Sequence, residues 1–269
     1  MRVVALLAAH NERRFIVPCI EHYVRHGVDV YLIDNESDDD TVARASQFLG
    51  RGLLGIERFP RSATFTWQPL LERKQQLAAT LDADWFLHAD PDEVRLPPRP
   101  GQTLASALAE VDAQGFNAVN FMEFTFVPTR QAPDHDHQDF QQTMRWYYPF
   151  EPVHPHQLKA WKKQPDTVDL ASTGGHRVGF PGLRIYPESF PMRHYLFLSV
   201  PHVVEKYVQR AFDPAEVDRG WHRARARLRT PDIALQDEQE LRAYAGDAAL
   251  DPSQPLGVHP LFARSLRQS

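Results

Sequence analysis

The opening of the chain does most to limit the fold. Residues 2–9, RVVALLAA, form one continuous apolar run, the pattern of a parallel strand buried on both faces rather than a strand with one wet face. HNERRFIVPCIEHYVRHG follows, and Ile16, Cys19, Ile20, Tyr23 and Val24 recur in it at the spacing of one helix face. Proline is tolerated only in the first turn of a helix, so Pro18 puts the start near Phe15 to Val17, and Gly27 suits the C-terminal end. A second apolar run, VDVYLID (28–34), and a second helical stretch, NESDDDTVARASQFLG, ending at Gly50, repeat the order. Strand, helix, strand, helix is the unit of a doubly wound parallel sheet.

The alternation continues. GLLGIERFP (52–60) gives a short third strand, WQPLLERKQQLAATLDA (67–83) a helix, and DWFLHAD (84–90) a fourth strand. TLASALAEVDAQG (103–115) is helical with Thr103 as its cap, and FNAVNFMEFTFVP (116–128) alternates as a longer strand, expected to be antiparallel and partly exposed. Residues 129–143 are polar and acidic and read as a mobile loop. Beyond residue 145 the pattern weakens: strands are expected at 158–163, 176–182 and 193–199, helix at 200–212 and in parts of 214–229 and 236–245, and an irregular tail from Asp251. The expected class is α/β, with a mostly parallel central sheet flanked by helices and a loop-rich C-terminal part. The expected division is a catalytic domain over 1–212, with halves 1–127 and 128–212, and a helical extension over 213–269.

Composition narrows the function classes. A net charge of −5 provides no basic field for nucleic acid. The one basic stretch, WHRARARLR (221–229), is either a solvated helix face or a contact for an anionic ligand. The single cysteine, Cys19, excludes an internal disulfide framework and points to a reducing compartment. No run reaches the ~20 apolar residues that span a bilayer, so a cytoplasmic protein is expected, with peripheral membrane contact left open. Nothing in the sequence sets the oligomeric state.

Ligands of open α/β sheets bind beyond the carboxyl ends of the strands, and three strand ends here are polar. His10, Asn11 and Glu12 follow the first strand. They are either a capped turn or groups that hold a base or ribose. Asp34 ends the second strand, followed by Asn35, Ser37 and Asp38 to Asp40. Acids at a helix start are explained by the helix dipole, whereas Asp34, at the end of a buried strand, is placed to accept hydrogen bonds from a base edge or ribose hydroxyls. Asp90, Asp92 and Glu93 follow the fourth strand, with Pro91 stiffening the turn. Hard oxygen ligands spaced as Asp-x-Asp suit Mg²⁺ or Mn²⁺ that also binds phosphates. No glycine-rich loop follows the first or second strand, so neither a dinucleotide fingerprint nor a P-loop fits.

Taken together, AHNERRFIVPCIEHYVRHGVDVYLIDNESDDDT and DADWFLHADPDEV resemble the family 2-like glycosyltransferases of GT-A fold. The likeness is to the branch whose first motif reads His/Lys-Asn-Glu and whose metal motif reads Asp-x-Asp-Glu, and it covers about residues 2–127 and, more loosely, 158–212. The resemblance implies a nucleotide-diphosphate sugar donor, Mn²⁺ or Mg²⁺ on the diphosphate, and a glycan or other hydroxyl acceptor, with a role in bacterial-type surface polysaccharide or glycan synthesis. It implies that His10, Asn11, Glu12 and Asp34 line the nucleoside pocket, that Asn35 and Ser37 continue it, and that Asp90 and Asp92 bridge ribose and metal-bound diphosphate. Lys74 lies in an apolar helix stripe with Leu70, Leu77, Ala78 and Leu81. It either snorkels or, as the resemblance implies, faces the nucleotide. A C-terminal histidine completes the metal site in such enzymes. His194, in HYLFLS ahead of Lys206, is preferred to His176, and either is neutral when it binds metal.

An inverting transfer needs a carboxylate to take the acceptor proton, and Glu123 and Glu188 are the candidates. His135, Asp136 and His137 read as solvated loop residues. Two further readings stand beside the transferase: a metal-dependent phosphohydrolase, whose acid pair usually follows the first strand rather than the fourth, and a non-catalytic nucleotide- or glycan-binding relative.

Overall fold

All seven residues of β1 (Val3–Ala9) are buried, which is the condition the opening apolar run sets. The computed structural model describes residues 1–266. After β1 come α1 (Ile16–Arg25), β2 (Val28–Asp34), α2 (Thr41–Ser46), β3 (Leu53–Arg58), α3 (Gln68–Thr80), β4 (Trp85–Ala89), β5 (Glu93–Arg95), α4 (Leu104–Ala113) and β6 (Ala118–Phe126). There follow α5 (Phe140–Thr143), β7 (Trp146–Phe150), β8 (Gln157–Lys162), β9 (Phe190–Tyr195), α6 (Val200–Val203), α7 (Pro214–Asp218), α8 (Arg223–Arg227), β10 (Arg242–Ala243) and α9 (Pro260–Leu266).

The chain forms two compact units. Unit 1 takes residues 1–60, 67–122 and 155–192, and unit 2 takes 61–66, 123–154 and 193 onward. In unit 1, β3, β2, β1 and β4 pair side by side and all parallel, the doubly wound arrangement expected. β8 runs antiparallel beside β4, and the first half of β6 antiparallel beside β8. Alternation along β1 turns Val3, Ala5 and Leu7 toward a core shared with Ile16, Ile20 and Tyr23 of α1 and Leu104 and Leu108 of α4. The opposite face carries His88, which Lys74 of α3 reaches, so helices cover both faces. Each buried leucine or isoleucine contributes about 1.5–3 kcal/mol. Thr103 caps α4 by accepting a hydrogen bond from the Ser106 N–H.

In unit 2 the second half of β6 pairs antiparallel with β7, and β10 with β7. Tyr148, Leu196, Val203, Tyr207, Leu261 and Phe262 build its core.

Several expected elements differ. β6 is antiparallel to its neighbours, but all nine of its residues are buried rather than partly exposed. Its polar residues are hydrogen-bonded instead of wet: Asn120 donates to Ser189 Oγ and accepts from the Gln157 N–H. The helix expected from residue 35 begins only at Thr41, because Asn35, Ser37 and Asp38 are drawn into loop bonds described below. Residues 176–182 make isolated bridges (Arg177 to Leu158, Gly179 to Asp169) rather than a strand. The segment 129–143 contains α5, seated by the buried Phe140. The helix expected at 200–212 is α6 followed by one wide turn over Val204–Val208. Residues 236–245 give a tight turn at Glu238–Glu240 and β10 instead of a helix. Within the tail expected to be irregular, α9 forms where Leu261 and Phe262 find unit 2's core. β5 and β7 carried no sequence signal of their own. Among the described residues, no helix is long and apolar enough to cross a membrane.

Candidate functional site

Unit 1 brings three polar strand ends to one edge of its parallel sheet. Register places Ala9 opposite Asp34 and Leu7 opposite Ala89, so the residues after β1, β2 and β4 emerge together. The first two ends are laced to each other. His10 Nδ1 lies 2.9 Å from the Asn35 carbonyl, and the Asn35 N–H donates to the Ala9 carbonyl at 2.8 Å. Asn11 adopts a left-handed backbone, φ 57°, which asparagine tolerates better than most residues. Its N–H donates to Ser37 Oγ and its side-chain amide to Asp38, while its Oδ1 accepts from the Asp38 N–H. The Glu12 N–H donates to Thr41 Oγ1. The buried Asp34 carboxylate accepts the Ser37 N–H at 3.3 and 3.2 Å, and Asn35 donates to the Phe59 and Pro60 carbonyls. Asn11, Asn35 and Ser37 therefore shape the rim, and His10 and Glu12, both half-buried, sit on it.

At the third strand end the acids have internal counter-ions. Asp90 and Glu93 close a tight turn, with the Glu93 N–H 3.2 Å from the Asp90 carbonyl. Lys159 of β8 holds both: its Nζ lies 3.1 Å from Asp90 Oδ2 and 2.9 and 3.3 Å from the two Glu93 oxygens. Arg95 donates to Glu93 at 2.5 Å and to the Tyr23 hydroxyl at 2.8 Å. Glu93 thus points inward, while Asp90 keeps 24% of its side chain exposed. Asp92 is buried to 9% exposure. Burial opposes ionisation of Asp90 and is the largest single effect, but Lys159 together with smaller contributions from its other neighbours, Lys74 and Arg95 among them, outweighs it and holds the carboxyl well below the usual carboxylate range. Glu93 and Asp90 in turn overrule burial at Lys159 and hold its ammonium above the ordinary value.

Lys74 is fully buried. It does not reach the open rim as a nucleotide contact would. Its Nζ lies 2.9 Å from His88 Nδ1 and from the Ala89 carbonyl, and 4.0 Å from Asp90 Oδ1. Burial lowers Lys74 to about 7, against the pull of Asp90. Burial and the neighbouring Lys74 also keep His88 neutral, so its Nδ1 can accept from the ammonium. Loop 170–176 is stitched to α3 beside this pair. Gln75 Oε1 accepts the Leu170 and Ala171 N–H groups, and Trp67 donates to the Gly174 carbonyl. Gly175, at φ 84°, passes so close that a Cβ would lie 3.0 Å from His88 Nε2. His176, just beyond, is exposed and stacks on His156.

Glu188 is exposed and makes no side-chain hydrogen bond or ion pair among the described residues, so nothing orients it as a base. Glu123 and His194 belong to unit 2 and meet each other, with His194 Nδ1 2.7 Å from Glu123 Oε1. Glu123 is 1% exposed. Burial would raise its pKa, but His194, His259 and Thr125 hold it well below the usual range, which makes it a poor proton acceptor rather than the expected base. His135 and His137 both approach Thr143 Oγ1.

Among the described residues, no group of three or more His, Cys, Asp or Glu could hold a metal. Mg²⁺-type sites, however, take one or two carboxylates and leave the remaining positions to water and substrate phosphates, and Asp90 with Asp92 fits that donor set. Lys159, His88 and Arg95 were missed from the sequence. The available signal was a charged residue inside an apolar strand, Lys159 between Leu158 and Ala160, because a buried charge needs a partner.

No family model matches the chain, and no curated protein matches it. Solved structures do. TarS of S. aureus, residues 1–349 in complex with UDP-GlcNAc, is 10% identical over 81% of this chain and 70% of that one, with a TM-score of 0.47. A second S. aureus TarS structure is 9% identical over 81% of this chain and 42% of that one, TM-score 0.42. Glucosyl-3-phosphoglycerate synthase from Mycobacterium tuberculosis, in complex with Mn²⁺, uridine diphosphate and phosphoglyceric acid, is 20% identical over 45% of this chain and 43% of that one, TM-score 0.30. The chain thus spans less than half the length of the second TarS structure and of the synthase.

Proposed function

We propose that the chain is a glycosyltransferase of GT-A type that moves a sugar from a nucleotide-diphosphate sugar to an acceptor hydroxyl. The observation that carries this reading is the acidic turn Asp90-Pro91-Asp92-Glu93 at the carboxyl end of buried β4, aligned with the polar ends of β1 and β2. In this reading Asp34, His10 and Glu12 bind the nucleoside on a rim fixed by Asn11, Asn35 and Ser37. Asp90 and Asp92 would hold a divalent cation, Mn²⁺ or Mg²⁺, which when bound neutralises charge on the diphosphate leaving group. Lys159 and Arg95 fix Glu93, and Lys159 and Lys74 fix Asp90, so the exposed edge of the turn is preorganised without a flexible side chain having to be ordered on binding. Lys74 acts from behind the turn, as a positioning residue.

The test is a thermal-shift screen of nucleoside diphosphates and nucleotide sugars, each with Mn²⁺ and with EDTA. A ligand that binds only the folded state raises the apparent melting temperature. A shift for one base, larger with Mn²⁺, is expected. No shift for any nucleotide, or phosphate release from an aryl phosphate, would replace this reading with the binding-protein or phosphohydrolase alternative.

A further inference from the structure

One stretch of unit 2 has no place in the donor site. Residues 219–229, RGWHRARARLR, hold five arginines and no acid in a chain of net charge −5. They follow α7, turn, and form α8. The turn uses a left-handed backbone at Gly220, φ 95°, and at His222, φ 55°, a conformation that histidine adopts more readily than most side chains. Ala224 and Leu228, four apart, then face unit 2's core, where Leu228 is fully buried. Ser265 of α9 donates to the Ala224 carbonyl at 3.1 Å. The same spacing puts Arg223 and Arg227 on one face of α8, and both are exposed. Like charges so placed work against a helix, so α8 is held by its apolar side and not by its charges.

Neighbouring groups hold the flanking arginines in place. The Arg225 guanidinium lies 5.7 Å from the centre of the Tyr207 ring and 3.3 Å from His222 Nδ1. Arg219 lies over the half-buried Trp221 ring at 4.7 Å, and Arg229 donates to the Ala226 and Leu228 carbonyls, both at 3.0 Å. Several local acids are engaged with backbone or turned inward. Asp213 accepts the Ala215 and Glu216 N–H groups, and Asp232 the Arg229 N–H. The Glu216 side chain is 2% exposed and lies 3.6 Å from His222 Nε2; Asp218, beside Arg219, is exposed. The field stays positive beneath the surface, where burial, Arg225 and Arg210 lower His222 to about 3. The arginines stand along a helix face and its flanks, which suits an extended anionic partner rather than a small enclosed one. Unit 2 also exposes Val153, Leu256 and Val258 where residues 256–258 run beside the end of β7, and α9 leads from there to Ala224. Arginines and an amphipathic tryptophan, with exposed apolar side chains on the same unit, are the composition of a surface that rests in a bilayer interface; a soluble polyanion has no use for the apolar groups. We propose that α8 and its flanks dock unit 2 on the anionic headgroups of a lipid bilayer, with Arg223 and Arg227 as the principal phosphate contacts. Guanidinium groups suit phosphate because they donate in a fork. This docking does not rest on the transferase reading.

The test is co-sedimentation of the full chain with vesicles of phosphatidylcholine alone and with about 30 mol % phosphatidylglycerol added. At about 0.1 M salt the wild type should bind the anionic vesicles about tenfold or more tightly than the neutral ones. Raising the salt to about 0.5 M should remove most of that difference, because exposed charges are then screened. Arg223→Gln combined with Arg227→Gln should weaken binding to the anionic vesicles about 25-fold, about fivefold for each basic residue near such a surface. Arg223→Lys combined with Arg227→Lys keeps both charges and should stay within about twofold of the wild type. Arg51→Gln removes an exposed charge from unit 1 and should stay within the same range. Equal binding to both kinds of vesicle, unaltered binding by the folded glutamine pair, or an Arg51→Gln effect as large as that of either α8 substitution overturns the proposal. Capture of heparin without sedimentation on vesicles would identify a soluble polyanion and overturn it as well. Vesicle binding needs no nucleotide, so failure of the donor assignment would leave this result untouched.

Discussion

Replacing Lys159 with methionine isolates the counter-charge beneath the acidic turn. Methionine keeps most of the stem volume and removes only the ammonium, whose side chain is 5% exposed and lies within 3.3 Å of both Asp90 and Glu93. Removing one partner of a buried ion pair costs about 3–5 kcal/mol, because the other charge is left uncompensated. Arg95 still holds Glu93 at 2.5 Å, so the expected loss is at the low end, about 3 kcal/mol. That is a large share of the ~5–15 kcal/mol by which a domain is stable. The pH dependence adds a second check. In the wild type Asp90 is held well below its ordinary pKa, so its contribution is complete above about pH 4 and lost as pH falls through the folded value. Without Lys159, burial pushes the Asp90 carboxyl up, and it takes a proton in mildly acidic solution, which removes the stranded charge. Urea denaturation should therefore show the variant's deficit shrinking from about pH 7.5 to about pH 4.5. A deficit below ~1 kcal/mol at the upper pH, no more than a surface ion pair gives, or one equal at both, would refute this account of the turn.

Lys74→Met tests the opposite sign. Because burial lowers Lys74 to about 7 from its ordinary 10.5, the unfolded chain binds more protons between those values, and wild-type stability should gain up to about 1.4 kcal/mol per pH unit relative to the variant. A difference curve flat across that window in denaturant melts would remove the case for a buried, titrating lysine. Gly175→Ala places a Cβ 2.9 Å from Leu71 Cδ2 at a backbone φ of 84°; a loss of about 1–3 kcal/mol is expected, and a neutral result would mean that the loop is not pressed onto His88. Asp92→Asn should weaken Mn²⁺-dependent binding of the nucleoside diphosphate about tenfold or more, some 1.4 kcal/mol, and make calorimetric affinity insensitive to EDTA. Undiminished, EDTA-sensitive binding would move the cation elsewhere.

Most of the chain through α4 was legible because its elements are local. Apolar runs that are buried whole read as strands, and α1, α3 and α4 carry their own periodicity and end signals. The later chain was not, because its elements depend on distant partners. β7 is held by β6, and α9 forms because Leu261 and Phe262 fill unit 2's core although the preceding DPSQPLGVHP has no helical pattern.

The candidate site divides the same way. The sequence by itself put His10, Asp34, Asp90 and Asp92 at strand ends, since burial patterning fixes where a parallel strand stops. Only the tertiary structure decided which charges those acids meet. Lys159 is 69 positions from Asp90, and His194 is 71 positions from Glu123. Closing loops of such length adds only slowly to the entropic cost as they grow, so separation along the chain scarcely restricts which lysine meets which acid. Packing settles it, because each buried charge is stable only where folding brings a counter-charge within hydrogen-bond reach.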